Sequence, residues 1–252
     1  MRTANNAILS VTLASAVATA ALFGNPGAAS ANLVTNGVFA VTPGTVNGDD
    51  VCGSATPTNP CVSRVPGWAT LAPRTVNFRV VDVMFPGTGG SGWNDNVGLA
   101  NNTVPDPPNG RNYIAGDASA GFREPFFQTI SGLKSGENYT LSFDQAGAQQ
   151  TTTTNARAMT EQWQVSLGSD TQLSQIMDSP PDGFHPWETQ TMTFAANAAS
   201  EVLSFLAMSP DGAPPVALLA GVSLTPAPEP ATLALLSTGL LGLGLIARRR
   251  RS

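Results

Sequence analysis

Apolar and polar residues alternate along several short segments of the chain, which is the pattern of half-buried β-strands. The clearest case follows the turn signal Ser135-Gly136, where Tyr139, Leu141 and Phe143 fall on one face of an extended segment. The same pattern predicts strands over residues 75–84, 113–114, 122–130, 162–167, 188–194, 202–208 and 216–224, and a strand-like run over 32–39 that is broken at Asn36-Gly37.

Helical periodicity is weak throughout this part of the chain. Residues 146–161 are the one doubtful segment, and the threonine run 151–154 disfavours a helix there. Nine or ten short strands within residues 32–225 predict an all-β domain, a β-sandwich of the jelly-roll type.

The two ends of the chain differ from this domain. Residues 1–31 have the form of a secretory signal peptide, with Arg2, an apolar stretch over 7–23 and a small-residue cleavage site at Ala29-Ser30-Ala31. The mature chain is then expected to begin at Asn32, after export by the secretion translocon. A second membrane span is the alternative interpretation.

The C-terminal end, residues 226–252, combines three features in order. Pro228-Glu229-Pro230 is followed by the uncharged segment 231–247 and then by Arg248, Arg249, Arg250 and Arg251. As a helix the uncharged segment measures about 25 Å, against a bilayer core of about 30 Å, and its 17 residues lie at the lower limit of the usual span of about 17–25 residues, so it can only just cross. The arginines would remain cytoplasmic, which leaves the domain outside.

This tail resembles the PEP-CTERM protein-sorting signal of Gram-negative bacteria. The resemblance implies a transmembrane helix over 231–247, transient anchoring in the inner membrane, recognition and removal of the tail by an exosortase, and delivery to the cell surface or extracellular matrix. An ordinary C-terminal anchor is the alternative.

Charge excludes one class of partner. Seven of the 12 basic residues and 16 of the 17 acidic residues lie in residues 32–225, so this domain carries about −9. Since no basic stripe is available to neutralise phosphates, nucleic acid is not an expected partner. Cys52 and Cys61 close a short loop, and in an exported protein they are expected to form a disulfide.

Three segments of the domain resemble galactose-binding-like jelly rolls of extracellular proteins, including the bacterial choice-of-anchor proteins. They are Asn-Leu-Val-x-Asn-Gly-x-Phe from Asn32, the run from Gln128 to Asp144, and the closing run from Pro214 to Leu224. The resemblance implies a β-sandwich and, in carbohydrate-binding relatives, an acidic residue near the end of the closing strand. This chain has Ala220-Gly221 there instead.

No catalytic motif is convincing. Residues 87–92 match G-x-G-x-x-G, but Trp93-Asn94-Asp95-Asn96 follows in place of a helix start, so a flexible turn is favoured. His185 is the only histidine, and it is expected in a loop without a catalytic role. The carboxylates show no paired spacing, so the protein is interpreted as no enzyme, with a secreted glycoside hydrolase as an alternative.

Ligand contacts are predicted in one polar loop. Trp93 is expected to be exposed and to stack on a sugar, with Asp95 beside it, whereas Trp163 and Trp187 are expected in the core. Asp49-Asp50 and Asn94-Asp95-Asn96 offer oxygens to a structural calcium ion, with solvated turns as the alternative, and no other cofactor is expected. The function predicted is an exported surface or matrix protein that binds polysaccharide, with a structural matrix or adhesion protein without a small ligand as the alternative.

Overall fold

The computed structural model of the chain describes residues 31–52, 63–70, 81–93, 97–151, 157–211 and 215–228. The predicted signal peptide up to Ser30 and the predicted transmembrane segment 231–247 lie outside these residues. Within the described ranges, none of the helical structure is long and apolar enough to cross a bilayer.

Twelve β-strands are formed by the described residues. They are β1 (Asp49–Asp50), β2 (Ala69–Thr70), β3 (Val81–Met84), β4 (Tyr113–Asp117), β5 (Phe126–Ser131), β6 (Asn138–Gln149), β7 (Met159–Leu167), β8 (Asp170–Leu173), β9 (Met177–Ser179), β10 (Phe184–Ala195), β11 (Ser200–Met208) and β12 (Pro215–Pro226).

The strands pair into two antiparallel sheets. Sheet 1 has the order β1-β3-β4-β12-β6-β10, and sheet 2 has the order β2-β5-β11-β7-β8 with β9 also paired to β7. Successive strands cross repeatedly between the sheets, and the two sheets pack face to face. The predicted all-β jelly-roll β-sandwich is therefore confirmed.

Strand formation follows the alternation of the sequence in most places. In β6 the residues from Tyr139 to Phe143 alternate between buried and half-buried, as predicted. The doubtful segment 146–161 is not helical where it is described, because β6 continues to Gln149 and β7 begins at Met159. The run 32–39 forms turns rather than a strand, and β8 and β9 were not predicted.

The core lies between the sheets and is rich in aromatic rings. Trp68 stacks on Phe126 with the ring centroids 4.4 Å apart, and Phe205 meets Phe143 edge to face at 5.3 Å. Trp163 is buried in the same cluster, as predicted, and its indole Nε1 donates to the Leu218 carbonyl at 3.1 Å.

A second apolar cluster lies on the outer side of sheet 1. Successive residues of a strand point to opposite faces, so Val216, Leu218 and Ala220 of β12 face away from the main core. They pack with Trp93, Leu99 and Val104 of the connection between β3 and β4. This connection thus covers part of the outer face of sheet 1, and among the described residues the rest of that face, including Thr191, Thr193 and Ser142, is exposed or half-buried.

The predicted disulfide involves one described and one undescribed residue. Cys52 forms an antiparallel bridge with Ser63, and Thr70 Oγ1 lies 2.8 Å from the Cys52 sulfur. Cys61 lies outside the described residues, so its pairing with Cys52 stays a prediction.

Candidate functional site

The open part of the outer face of sheet 1 is lined by hydroxyl groups. Two rows run across β10, β6 and β12: Thr191 pairs with Ser142 and Ser142 with Ser223, while Thr193 pairs with Thr140 and Thr140 with Thr225. The threonines of β10 are exposed, and the hydroxyl residues of β6 and β12 are half-buried. Together with Thr189 and Asp144, these residues are called the hydroxyl face.

An acid stands at one end of the hydroxyl face. Asp144 pairs with Thr189 on one side and with Ala220 on the other. Its Oδ1 accepts a 2.7 Å hydrogen bond from Thr189 Oγ1. Asp144 is half-buried, so the carboxylate remains open to solvent on one side.

A bulge in β12 opens a small recess beside this acid. The register of β12 against β6 shifts between Ala220 and Ser223, and Gly221 adopts a positive φ of 60°. A Cβ added at Gly221 would lie 2.9 Å from Asn109 Nδ2 and 3.1 Å from Asp144 Oδ2. Glycine therefore serves both the left-handed backbone and the space between the amide and the carboxylate.

An aromatic ring lies on the same face, two residues before Thr189. Trp187 is half-buried, whereas Trp68, Trp93 and Trp163 are at most 2% exposed. The Trp187 indole Nε1 donates to the Pro105 carbonyl at 2.9 Å, and its ring meets Tyr113 edge to face at 5.7 Å. The ring is therefore held in a fixed orientation with part of its surface in solvent.

These groups suit a ligand that carries many hydroxyls. Asp144 accepts hydrogen bonds, Asn109 both donates and accepts them, and the threonine and serine hydroxyls do either. A fixed indole adds an apolar surface beside them. Few, well-placed polar groups beside an aromatic side chain are typical of small-molecule sites.

The predicted exposure of Trp93 is wrong. Trp93 is 0% exposed and belongs to the second apolar cluster, so its ring is not available to stack on a sugar. The polar neighbours of Trp93 in the sequence indicate a solvated loop. In the structure this loop folds back on itself, with Leu99 N donating to the Gly90 carbonyl at 3.0 Å, and packs Trp93 against sheet 1. Asp95, its predicted partner, lies outside the described residues.

Trp187 and Asp144 are the site residues that the sequence did not indicate. Trp187 was expected in the core, but it shares the outward parity of Thr189, Thr191 and Thr193 in β10 and is half-buried against the second apolar cluster. Asp144 comes from β6, and its pairing with Ala220 of β12 brings it beside the bulge at Gly221. Only the strand pairing brings these positions together.

The candidate calcium ligands Asp49 and Asp50 have other partners. Asp49 Oδ2 forms a 2.7 Å salt bridge with Arg64 and accepts from Val46 N at 2.8 Å. Asp50 Oδ1 accepts from Cys52 N at 2.7 Å. Among the described residues, no group of three or more His, Cys, Asp or Glu side chains is placed to hold a metal ion. The loop residues 94–96 lie outside this description, so calcium there stays a prediction.

His185 lies in β10 rather than in a loop. Its Nδ1 accepts from Asp178 N at 3.1 Å, so it joins β10 to β9. This contact is structural.

The Glu161 carboxyl is buried between the two sheets. Glu161 is 0% exposed; its Oε2 accepts from Ser179 Oγ at 3.1 Å, and its Oε1 has no partner among the described residues. Burial raises the pKa of Glu161 to about 8, with smaller contributions from Asp211 and Asp178, while the Ser179 hydrogen bond acts in the opposite direction. A fully buried acid does not reach a polymeric substrate, so Glu161 is no candidate for glycoside hydrolysis.

The tail matches a known sorting signal. The model of the PEP-CTERM protein-sorting motif matches residues 226–251, which confirms the resemblance seen in the sequence. This motif indicates export and sorting with a membrane-anchored stage. No protein in a search of curated proteins matches the chain.

Several solved structures are similar to the chain at low identity and low TM-score. A Stig cyclase from Fischerella sp. TAU has a TM-score of 0.41 and 16% identity over 66% of this chain and 87% of its own. TmCBM61, solved with β-1,4-galactotriose, has a TM-score of 0.36 and 11% identity over 64% and 90%. The CBM22-1 xylan-binding domain of Paenibacillus barcinonensis Xyn10C has a TM-score of 0.35 and 14% identity over 65% and 88%. At this level the similarity does not indicate a ligand or an activity for this chain.

Proposed function

We propose that the protein is a non-catalytic, exported surface or extracellular-matrix protein that binds a polysaccharide on the hydroxyl face. The observation that carries this proposal is the convergence of an amide and a carboxylate over Gly221, where Asn109 Nδ2 and Asp144 Oδ2 lie 2.9 Å and 3.1 Å from the position that a Cβ would take. A sugar hydroxyl above the recess, within reach of both groups, would donate to the carboxylate and accept from the amide.

The rest of the face extends this recess into a binding surface. Along the strands, the Trp187 ring lies on one side of the Thr189–Asp144 pair, and the two hydroxyl rows lie on the other side. Residues 187 and 193 are about 20 Å apart along an extended strand, which is long enough for several sugar units. A polymer running along β10 would therefore contact the ring, the acid and the hydroxyls in turn.

The tail accounts for delivery in this proposal. The signal peptide directs the chain to the secretion translocon, and residues 231–247 hold it in the inner membrane of a Gram-negative bacterium. An exosortase then recognises Pro228-Glu229-Pro230 and removes the tail. The domain reaches the cell surface or the matrix, where exopolysaccharide is the partner.

Binding is tested with the domain from Asn32 to Pro228 on an array of neutral and acidic polysaccharides, with and without calcium. We expect binding to at least one polysaccharide and its loss in Trp187→Ala and Asp144→Ala. Thr129→Val is the matched control, because Thr129 is an exposed strand residue on sheet 2. No binding to any polysaccharide in either condition would refute the proposal and favour a structural matrix protein. Release of short sugars from a bound polysaccharide would favour the hydrolase alternative.

A further inference from the structure

The last strand of the domain runs directly into the sorting motif. Pro226 pairs with Tyr139, and Ala227 N donates to the Asn138 carbonyl at 2.8 Å. The match to the sorting motif already begins at residue 226. The folded sheet and the sorting signal therefore overlap, and no linker separates them.

The end of the domain where β12 terminates is formed by two short turns. One joins β5 to β6 over residues 132–137, and the other joins β10 to β11 over residues 196–199. The two turns are hydrogen-bonded to each other, since Leu133 N donates to the Ala199 carbonyl and Gly136 N donates to the Ala196 carbonyl. They form one surface beside the C-terminal end of β12.

Most exposed residues of these two turns are small and uncharged. Lys134 and Glu137 are the charged residues of the two turns, and they cancel. The other exposed residues there are Gly132, Ser135, Gly136, Asn197, Ala198 and Ala199. By contrast, Asp178, Asp182 and Asp211 lie towards the opposite end of the sandwich. The two turns themselves thus carry no net charge, while the mostly buried Glu201 lies behind them and accepts from Asn197 N at 3.1 Å.

Chain length limits how far the domain can move away from such a surface. Four peptide links join Ala227 to Ala231, which is a reach of at most about 14 Å. The headgroup layer takes up about 5–8 Å of this reach. About 6–9 Å remains, and this is less than the roughly 10 Å between β12 and the edge strand β10. The domain therefore cannot lie on that edge while the tail spans the membrane.

We propose that the surface formed by residues 132–137 and 196–199 lies against the phospholipid headgroups while the tail is in the membrane. This inference rests on the membrane-anchored stage of the proposed function. The strands then stand away from the membrane, with the hydroxyl face at its side. Asp144 and Thr189 lie six residues along the strands from Asn138 and Ala195. They are therefore about 20 Å from the end of the domain that carries the two turns, called the membrane end. The polysaccharide site is therefore accessible before the tail is removed.

The test uses the full chain in a bacterial host without an exosortase, so that the tail is retained. A photoreactive benzoylphenylalanine replaces Ser135 or Asn197 at the membrane end, and Asn101 at the opposite end serves as the matched exposed control. After irradiation, lipid adducts are quantified by mass spectrometry. The same variants are made with twelve Gly and Ser residues inserted between Ala227 and Pro228.

We expect at least five-fold more lipid adduct from the photoreactive residue at position 135 or 197 than from the one at position 101. After the insertion, the ratio of these yields should be near one. Equal yields at all three positions without the insertion would overturn the proposal, as would adducts of Ser135 with protein rather than lipid. Carbonate extraction is run in parallel. A chain that washes off the membrane overturns the anchored stage itself, whereas an anchored chain with equal yields overturns only the orientation.

Discussion

Thr189 Oγ1 donates a 2.7 Å hydrogen bond to Asp144 Oδ1 across the pairing of β10 with β6. This bond occupies one carboxylate oxygen and leaves Oδ2 beside the recess at Gly221. The acid is thereby oriented before any ligand arrives, which lowers the entropy cost of binding.

Removal of the Thr189 hydroxyl is expected to weaken polysaccharide binding. In Thr189→Val the shape of the strand residue is kept, but the Asp144 carboxylate loses its orienting donor. We expect the Kd to rise about 10-fold, which corresponds to about 1.4 kcal/mol. Isothermal titration of the domain measures this change. Thr129→Val on sheet 2 should leave the Kd unchanged, and an equal loss in both variants would place the ligand elsewhere.

A side chain at position 221 is expected to close the recess. Gly221→Ala forces a residue with a Cβ into a left-handed conformation, which costs about 1–2 kcal/mol of stability, and crowds Asn109 and Asp144. The matched control is Gly132→Ala, because Gly132 also has a positive φ, of 84°, but nothing lies within 4 Å of its added Cβ.

Both glycine variants should lose stability in a denaturant titration, while Gly221→Ala alone should lose binding. Retained binding by a folded Gly221→Ala domain would show that the recess does not hold the ligand.

Trp93 and Trp187 are expected to contribute differently, Trp93 to stability and Trp187 to ligand binding. Trp93 is fully buried in the second apolar cluster, so Trp93→Ala should lower the free energy of unfolding by about 3–5 kcal/mol. Trp187 is half-buried on the hydroxyl face, so Trp187→Ala should lose less stability but raise the Kd for polysaccharide by a factor of 30 or more, about 2 kcal/mol. Unfolding curves and ligand titrations of both variants check this. A large loss of binding in Trp93→Ala with little loss in Trp187→Ala would instead support sugar stacking on Trp93.

Local alternation allowed most of the large strands to be predicted. Tyr139, Leu141 and Phe143 indicate β6 without any tertiary information, because their burial repeats with period two. Asp170–Leu173 forms β8 although its residues are half-buried or exposed, so it has no apolar face that a pattern could reveal. Its strand character comes from pairing with β7.

The candidate site depended on non-local pairing and was therefore not predictable. Asp144 and Ala220 are 76 positions apart, and only the register of β12 against β6 makes them neighbours. Trp93 was misassigned for a related reason: its polar sequence neighbours say nothing about the sheet onto which its loop folds. The sorting tail was predictable because its three features are consecutive in the chain.

The position of the sorting motif predicts which truncations the domain tolerates. A chain ending at Pro228 keeps every described pairing of β12, so its Tm should equal that of the chain with the tail retained in detergent. A chain ending at Val222 loses Leu224, which is fully buried in the main core. The free energy of unfolding should fall by about 2–5 kcal/mol, which corresponds to roughly 4–20 °C in Tm. Calorimetry of the two truncated chains distinguishes them, and equal Tm values would show that the end of β12 adds no stability.

The buried acid predicts how stability depends on pH. Burial raises the pKa of Glu161 from 4.5 to about 8 in the folded state. Between these values the folded protein keeps a proton that the unfolded chain has released, so raising the pH favours unfolding. Below pH 4.5 both states are protonated, and above about pH 8 both are ionised. The free energy of unfolding should therefore fall between these limits, by up to about 1.4 kcal/mol per pH unit.

Glu161→Gln should remove this slope, because the amide does not titrate and still accepts a hydrogen bond from Ser179. Denaturant titrations at pH 5, 6, 7 and 8 measure the slope in each variant. Glu137→Gln is the control, since Glu137 is exposed in the turn before β6 and its replacement should keep the slope of the unaltered chain. A slope that persists in Glu161→Gln would assign the pH dependence to another group. A flat profile in the unaltered chain would show that the buried carboxyl ionises at its ordinary pKa, which the absence of a described partner for Oε1 argues against.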